Sequence, residues 1–164
     1  MNTVYFSIGS NIGDKKNNLR NAIKLLKKNN INIIKISSVY KTEPVGVKNQ
    51  PYFYNICIKA KTRLDPENLL KLIKIIEKKI GRKKVKKWGP RIIDIDILFF
   101  NNIILNKRKL KIPHPEIIKR NFVLIPLYEI NKNIYHPVEK KTIKNIIKSL
   151  KLKEKVIKIG DFDE

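Results

Sequence analysis

The 164-residue sequence is short of several residue types, and each shortage excludes something. One cysteine, Cys57, rules out an internal disulfide and any cysteine-rich metal site, as expected in a reducing compartment such as the cytoplasm. No apolar run approaches the roughly 18 residues of a membrane helix, and the N-terminus lacks the basic-then-apolar pattern of a signal peptide. Acids number only 14 against 37 Lys and Arg, for a net charge of +23, and histidines only two. Alanine occurs twice, glycine and arginine six times each. What fills the chain instead is 31 Lys, 30 Ile and 18 Asn. These are the residues that AT-rich codons specify, so drift toward Lys on the surface and Ile in the core accounts for most of the charge. A specific nucleic-acid partner is therefore not expected from charge alone. The scarce residues carry more information.

At this length one domain is expected, spanning 1–164, with a loose tail at 160–164. A strand over 4–8 ends at Gly9-Ser10-Asn11, and Asp14 caps an amphipathic helix over 15–28. Strands follow at 33–40 and 55–61, separated by a long loop from Thr42 to Pro51. Asp65-Pro66 opens a second helix that Gly81 terminates, and a strand runs over 92–100. An apolar hairpin near 103–112, a partly helical segment through Tyr128 and a short helix over 142–150 complete the chain. The order βαββαβ predicts an α+β sandwich with a ferredoxin-like core and a C-terminal extension of a hairpin and short helices.

The chemistry concentrates in Trp88-Gly89-Pro90-Arg91-Ile92-Ile93-Asp94-Ile95-Asp96-Ile97-Leu98. On a strand, Asp94 and Asp96 share one face about 6–7 Å apart, while Ile93, Ile95 and Ile97 turn to the core. Two carboxylates on one face repel unless a cation lies between them, and oxygen ligands at that reach suit Mg²⁺ completed by substrate phosphates. The alternative is a solvent-facing strand whose polar positions happen to be Asp, but Asp is a poor strand former. The basic run from Arg82 to Arg91 adds the cations that polyphosphate chemistry requires. A solvated charge run explains Lys83 and Lys86 equally well, and Arg82 and Arg91 less well. His114 lies between two prolines, where a turn residue and a ligand contact are about equally expected, and His136 reads as structural. There is no Gly-rich phosphate loop ending in Lys-Ser/Thr.

These motifs together resemble the 6-hydroxymethyl-7,8-dihydropterin pyrophosphokinase family. The resemblance runs from Ile8-Gly9-Ser10-Asn11 through Thr42-Glu43-Pro44, Phe53-Tyr54-Asn55, Glu77, the Trp88–Leu98 stretch and Pro113-His114 to Arg120-Asn121-Phe122. It implies a cytoplasmic monomer that moves pyrophosphate from ATP to the pterin hydroxymethyl group and releases AMP. Two Mg²⁺ ions would lie on Asp94 and Asp96, with Arg82 and Arg91 as catalytic cations. Glu77, Lys84, Lys87, Trp88, Ile97, Lys109, Lys111, His114 and Arg120 would line the ATP site. Phe53 and Phe122 would stack on the pterin, with Asn55 on its polar edge and Thr42, Pro44 and Val45 completing the pocket. The chain departs from its relatives in carrying Lys at 84, 87 and 109, where they often have Arg, and Phe at 53, where Tyr is usual. Its basic loop is also one residue shorter than in some relatives. The rival reading is a ferredoxin-like nucleic-acid module, which leaves Asp94 and Asp96 without a role; a decayed enzyme that kept the fold is the third.

Overall fold

The computed structural model describes residues 1–44, 49–82, 89–150 and 154–164. The chain runs β1 (Asn2–Ser10), α1 (Lys15–Lys28), β2 (Asn32–Ile36), β3 (Val39–Thr42), β4 (Phe53–Thr62), α2 (Pro66–Ile80) and β5 (Asp94–Phe100). The extension adds a two-stranded ribbon, β6 (Leu105–Asn106) with β7 (Lys111–Ile112), a single 3₁₀ turn at Ile117–Lys119 and α3 (Asn121–Asn131). A second ribbon, β8 (Tyr135–His136) with β9 (Lys141–Thr142), then leads to α4 (Ile143–Ser149) and β10 (Val156–Gly160). The main sheet is antiparallel throughout, in the order β10-β3-β4-β1-β5, with β2 also on β4. Taking β2 and β3 as one broken strand, this is the ferredoxin-like arrangement that the element order predicts.

Strand alternation sends the two faces of the sheet to different partners. On β1, Val4, Phe6 and Ile8 point to one face, where they meet Leu19, Ala22, Ile23 and Leu26 of α1 and Leu69, Ile73 and Ile76 of α2. Tyr5 points to the other, joining Cys57, Leu98, Phe99 and the α3–α4 layer through Val123, Leu124, Leu127, Ile143 and Ile146. The fold is thus three layers with two separate cores. His136 belongs to the second layer: it is buried, accepts the Glu139 N–H at Nδ1 (3.0 Å) and meets the Phe99 ring edge-on, a structural role. A bulge on β5 between the Tyr5 and Phe6 pairings lets Leu98 and Phe99 both face that layer.

Three expectations need correction. The strand over 33–40 breaks at Ser37-Ser38, where hydroxyls replace ladder partners: Ser37 Oγ accepts the Cys57 N–H (2.9 Å), and Glu129 on α3 accepts from Ser38 N–H, Ser38 Oγ and Tyr40 OH at 2.7–2.9 Å. Asp65 stands at the start of α2 but takes the Asn68 side-chain amide in place of a helix N–H. The tail is held down. Gly160 ends a strand on β3, Phe162 packs against the first core, Arg20 Nε donates to the Asp163 carbonyl (2.8 Å) and Lys27 pairs with Glu164.

The Glu129 link joins the α3 layer to the strand break. Burial opposes its charge, but the Ser38 and Tyr40 hydrogen bonds outweigh this and hold its carboxyl below the usual range. A carboxylate so depressed stabilises the fold above its unfolded pKa of about 4.3, and that contribution is lost as pH falls through the lower folded value. Glu129→Gln should cost about 1 kcal/mol in urea unfolding at pH 7. The gap to the unmutated protein should narrow as pH falls below about 4; a gap that is independent of pH contradicts the charge-based account.

Candidate functional site

The α3–α4 layer covers only part of its face. At the end of the sheet where β1, β3, β4 and β5 bring Gly9, Thr42, Asn55 and Asp94 into register, that face stays open. The result is a cavity of about 300 Å³. Its floor is Ser7, Gly9, Asn55, Asp94 and Asp96; its walls are Thr42, Glu43, Phe53, Lys74, Arg82, Gly89, Arg91, His114, Arg120 and Phe122.

Backbone geometry places the key groups. Asp94 and Asp96 pair with Gly9 and Ser7 on β1, so both reach the cavity while Ile93, Ile95 and Ile97 are buried in the opposite core. Gly81 ends α2 in the left-handed region (φ +115°), where a side chain is disfavoured, and turns Arg82 back over its own helix. Arg82 Nη1 then lies 2.5 Å from Glu77 Oε2 and 2.9 Å from Asp94 Oδ1; Arg91 Nη1 is 3.4 Å from the same Asp94 oxygen. Gly9 leaves room for Asn55, whose Oδ1 lies where a Cβ at position 9 would be. The Asn55 amide donates to Thr42 Oγ1 at 2.6 Å. His114 is fixed by its N–H on the bulge carbonyl of Leu98 (3.0 Å), and its Nδ1 accepts the Glu116 N–H (3.1 Å).

Burial, reinforced by the charge of Asp94 and only partly offset by Arg120, pushes the Asp96 carboxyl up to about 7. Burial beside a second carboxylate thus disfavours the charged form of Asp96, a cost that a cation bound between the two would relieve. Burial, with Arg120 nearby, pulls His114 down to about 4, so its ring is neutral at physiological pH. Burial works against the Arg82 charge, but Asp94 and Glu77 outweigh it and hold its pKa above the ordinary value. Among the described residues no three His, Cys, Asp or Glu side chains converge as a metal cage. The donor set is two carboxylates that share a cavity face, which fits a Mg²⁺ whose remaining ligands come from water and substrate.

Of the residues singled out in the sequence, Arg82, Arg91, Asp94, Asp96, His114, Arg120, Thr42, Phe53, Asn55 and Phe122 meet around this cavity. Glu77 does not line it; at 2% exposure it lies behind, binding Arg82 and the Ile95 N–H. Ile97 turns its side chain into the first core, and Pro44 is buried outside the lining. Lys109 and Lys111 are exposed on the β6–β7 ribbon, away from the lining. Val45, Lys84, Lys87 and Trp88 lie outside the described residues. Ser7, Glu43, Lys74 and Gly89 line the cavity without having been singled out. Ser7 was legible as the position two before Gly9 on one strand face, and Lys74 as one helical turn before Glu77.

The family model "7,8-dihydro-6-hydroxymethylpterin-pyrophosphokinase (HPPK)" matches residues 5–132. The 2-amino-4-hydroxy-6-hydroxymethyldihydropteridine pyrophosphokinase of Aquifex aeolicus is 46% identical over 144 residues, covering 88% of this chain and 89% of the relative. The Bacillus subtilis protein of the same name is 42% identical, covering 81% and 80%. A crystal structure of Plasmodium falciparum HPPK-DHPS superposes with a TM-score of 0.69 at 21% identity, over 90% of this chain. The chain spans 43% of that larger protein, and the likeness at this identity speaks for the fold alone.

Gly9→Ala should test the close approach on the cavity floor. The added methyl would overlap Asn55 Oδ1, so either the amide leaves Thr42 or the strands separate, at about 1–3 kcal/mol. The Asn55 side-chain amide resonances should shift and the melting temperature fall. Unchanged Asn55 resonances would show that the floor is not packed this way.

Proposed function

Because the chain belongs to the 7,8-dihydro-6-hydroxymethylpterin-pyrophosphokinase family, we propose that it transfers the β,γ-pyrophosphoryl group of ATP to the hydroxymethyl oxygen of 6-hydroxymethyl-7,8-dihydropterin and releases AMP. It is a diphosphotransferase of folate synthesis. The observation that carries the finer reading is the shared cavity: a carboxylate pair and three arginines at one end of an aromatic-walled cleft.

On this reading Asp94 and Asp96 would hold two Mg²⁺ ions, whose charge would offset that of the substrate phosphates. Arg82 and Arg91, both on Asp94 in the structure, are within reach of an arriving triphosphate, and their forked donors suit its oxygens. Arg120 and Lys74 add cations to the same wall, and neutral His114 offers an uncharged donor. Phe53 and Phe122 hold the flat heterocycle, while Asn55, locked by Thr42, fixes its orientation. Lys84, Lys87, Trp88, Lys109 and Lys111 belong to the proposed nucleotide side by resemblance only. Ile97 on the nucleotide side and the backbone of Pro44 and Val45 on the pterin side are assigned in the same way.

The same reading makes this a single-domain cytoplasmic monomer with no specific nucleic-acid partner. Among the described residues no helix is long and apolar enough to cross a membrane. A nucleic-acid module fits poorly, because two carboxylates on the cavity floor would repel a phosphate backbone.

Incubation with Mg·ATP and the hydroxymethyl-dihydropterin should yield AMP; ADP, or no turnover, refutes the reading. Asp96→Ala should lower turnover by about 10²–10³-fold with the fold intact by circular dichroism. Arg91→Ala should lower kcat more than it raises the KM for ATP, since it acts on charge that grows during transfer. An Asp96→Ala protein of ordinary activity would remove the metal assignment.

A further inference from the structure

A second cavity, of about 350 Å³, lies between the two ribbons of the extension and the turn that follows β7. Ile104, Leu105, Ile112, Pro115, Ile118 and Val138 make its lining largely apolar. Ile104 (62% exposed) and Val138 (52% exposed) leave apolar side chains at its mouth. A volume of this order falls in the range of small-molecule sites. Its charged side chains are Lys111 and Glu139, both exposed and of opposite sign, so the lining favours neither an anion nor a cation.

His136 supplies the polar point. It is 5% exposed and lines the cavity. Its Nδ1 accepts the Glu139 N–H at 3.0 Å, which places the proton of the neutral ring on Nε2. Burial, only partly opposed by the Glu139 charge, holds its pKa below the ordinary value, so the ring is neutral at pH 7. Nδ1 and the edge-on contact with Phe99 account for the packing of the ring. Nε2 has no such use. Among the described residues none accepts from it, and it opens onto the cavity instead of being sealed among side chains. Buried donors are normally paired, so a donor left open here is half of a hydrogen bond. A water on it would have mostly apolar neighbours, where an ordered water needs two to four polar partners.

We propose that this cavity is a second ligand site, which takes a small neutral molecule with an apolar ring and one carbonyl-type acceptor, received by the Nε2–H of His136. The requirement differs from that of the catalytic cavity, whose lining is a carboxylate pair with arginines. The two cavities meet at His114, which lines both. An occupant therefore packs against the turn that presents His114 to the first cavity, a turn fixed by the His114 N–H on the Leu98 carbonyl (3.0 Å). The proposal goes beyond the pyrophosphokinase reading and does not depend on it.

The test uses acetophenone, which has one ring and one carbonyl acceptor, and ethylbenzene, its counterpart without the acceptor. Each is titrated into the full chain, ¹⁵N-labelled at histidine, and the imidazole nitrogens are followed by NMR. Acetophenone should saturate in the millimolar range, as suits so few non-hydrogen atoms, and shift the His136 Nε2 resonance. It should bind at least about fivefold more tightly than ethylbenzene, the worth of one hydrogen bond. Val138→Trp, at an exposed position on the mouth, should weaken acetophenone at least about fivefold with an unchanged melting temperature. His136→Phe, which keeps a ring and loses the donor, should make the two compounds bind alike. Saturating Mg²⁺ and a non-hydrolysable ATP analogue should leave acetophenone affinity within about threefold. Displacement by the analogue overturns the proposal, because it assigns the cavity to the nucleotide. Shifts that never saturate, equal binding of both compounds to the unmutated chain, or binding indifferent to Val138→Trp also overturn it; these outcomes decide the matter even if His136→Phe does not fold.

Discussion

The carboxylate of Glu77 is 2% exposed, and a charge so far from water persists only where partners surround it. It has three. Arg82 and Lys74 approach its two oxygens from α2 and the turn beyond, and the Ile95 N–H donates to it from β5 at 2.9 Å. That N–H belongs to the outer strand of the sheet. Glu77 thus fastens the end of α2 to the strand that carries Asp94 and Asp96, and sets the guanidinium of Arg82 between the two. The arginine in turn bridges the buried acid and the cavity acid. Remove that one charge and the cation wall is held to the carboxylate floor by the contacts of Arg82 and Arg91 with Asp94 alone.

The division of labour between the two sheet faces follows from the same economy. One face is predominantly apolar and takes both helices of the βαββαβ core. The other is apolar only where α3 and α4 cover it, and polar where they stop. Two of the groups with unfavourable requirements, the carboxylate pair on β5 and the locked amide on β4, are placed on strands, whose alternation aims each one without a loop. The large excess of lysine plays little part here. Among the described residues of the cavity wall, Lys74 is the lysine and the remaining cations are arginines, the scarcer type.

Much of this was legible in advance, for identifiable reasons. Strand alternation forces Asp94 and Asp96 onto one face whatever surrounds them, and helical spacing forces Leu69, Ile73 and Ile76 into a core. What the sequence could not show depends on partners distant in the chain. The break at Ser37-Ser38 needs Glu129, 91 residues on, to make sense of it. β10 is a short strand in lysine-rich surroundings, and its supports, the free edge of β3 and the helix α3, both lie well back in the chain. Asn11 reads as one more turn residue until Gln50 and Arg91 are seen on either side of it. Ile97 shows the reach of alternation: the rule that puts Asp96 in the cavity turns the Ile97 side chain into the core, as the sequence pattern predicts, and its link to the nucleotide side rests on the resemblance alone.

The pairing of β10 with β3 bears on how the protein can be handled. The family match stops at residue 132, which invites a boundary there. Yet Val156 pairs with Thr42, the residue that holds Asn55 in place, and the strand is the outermost of the main sheet. A chain cut after α3 would keep every cavity-lining side chain and leave β3 as a bare edge beside the aromatic wall. Unprotected edges of this kind recruit other strands. The C-terminal segment is therefore as much a guard against self-association as a part of the architecture, and an affinity tag is better placed at the other end.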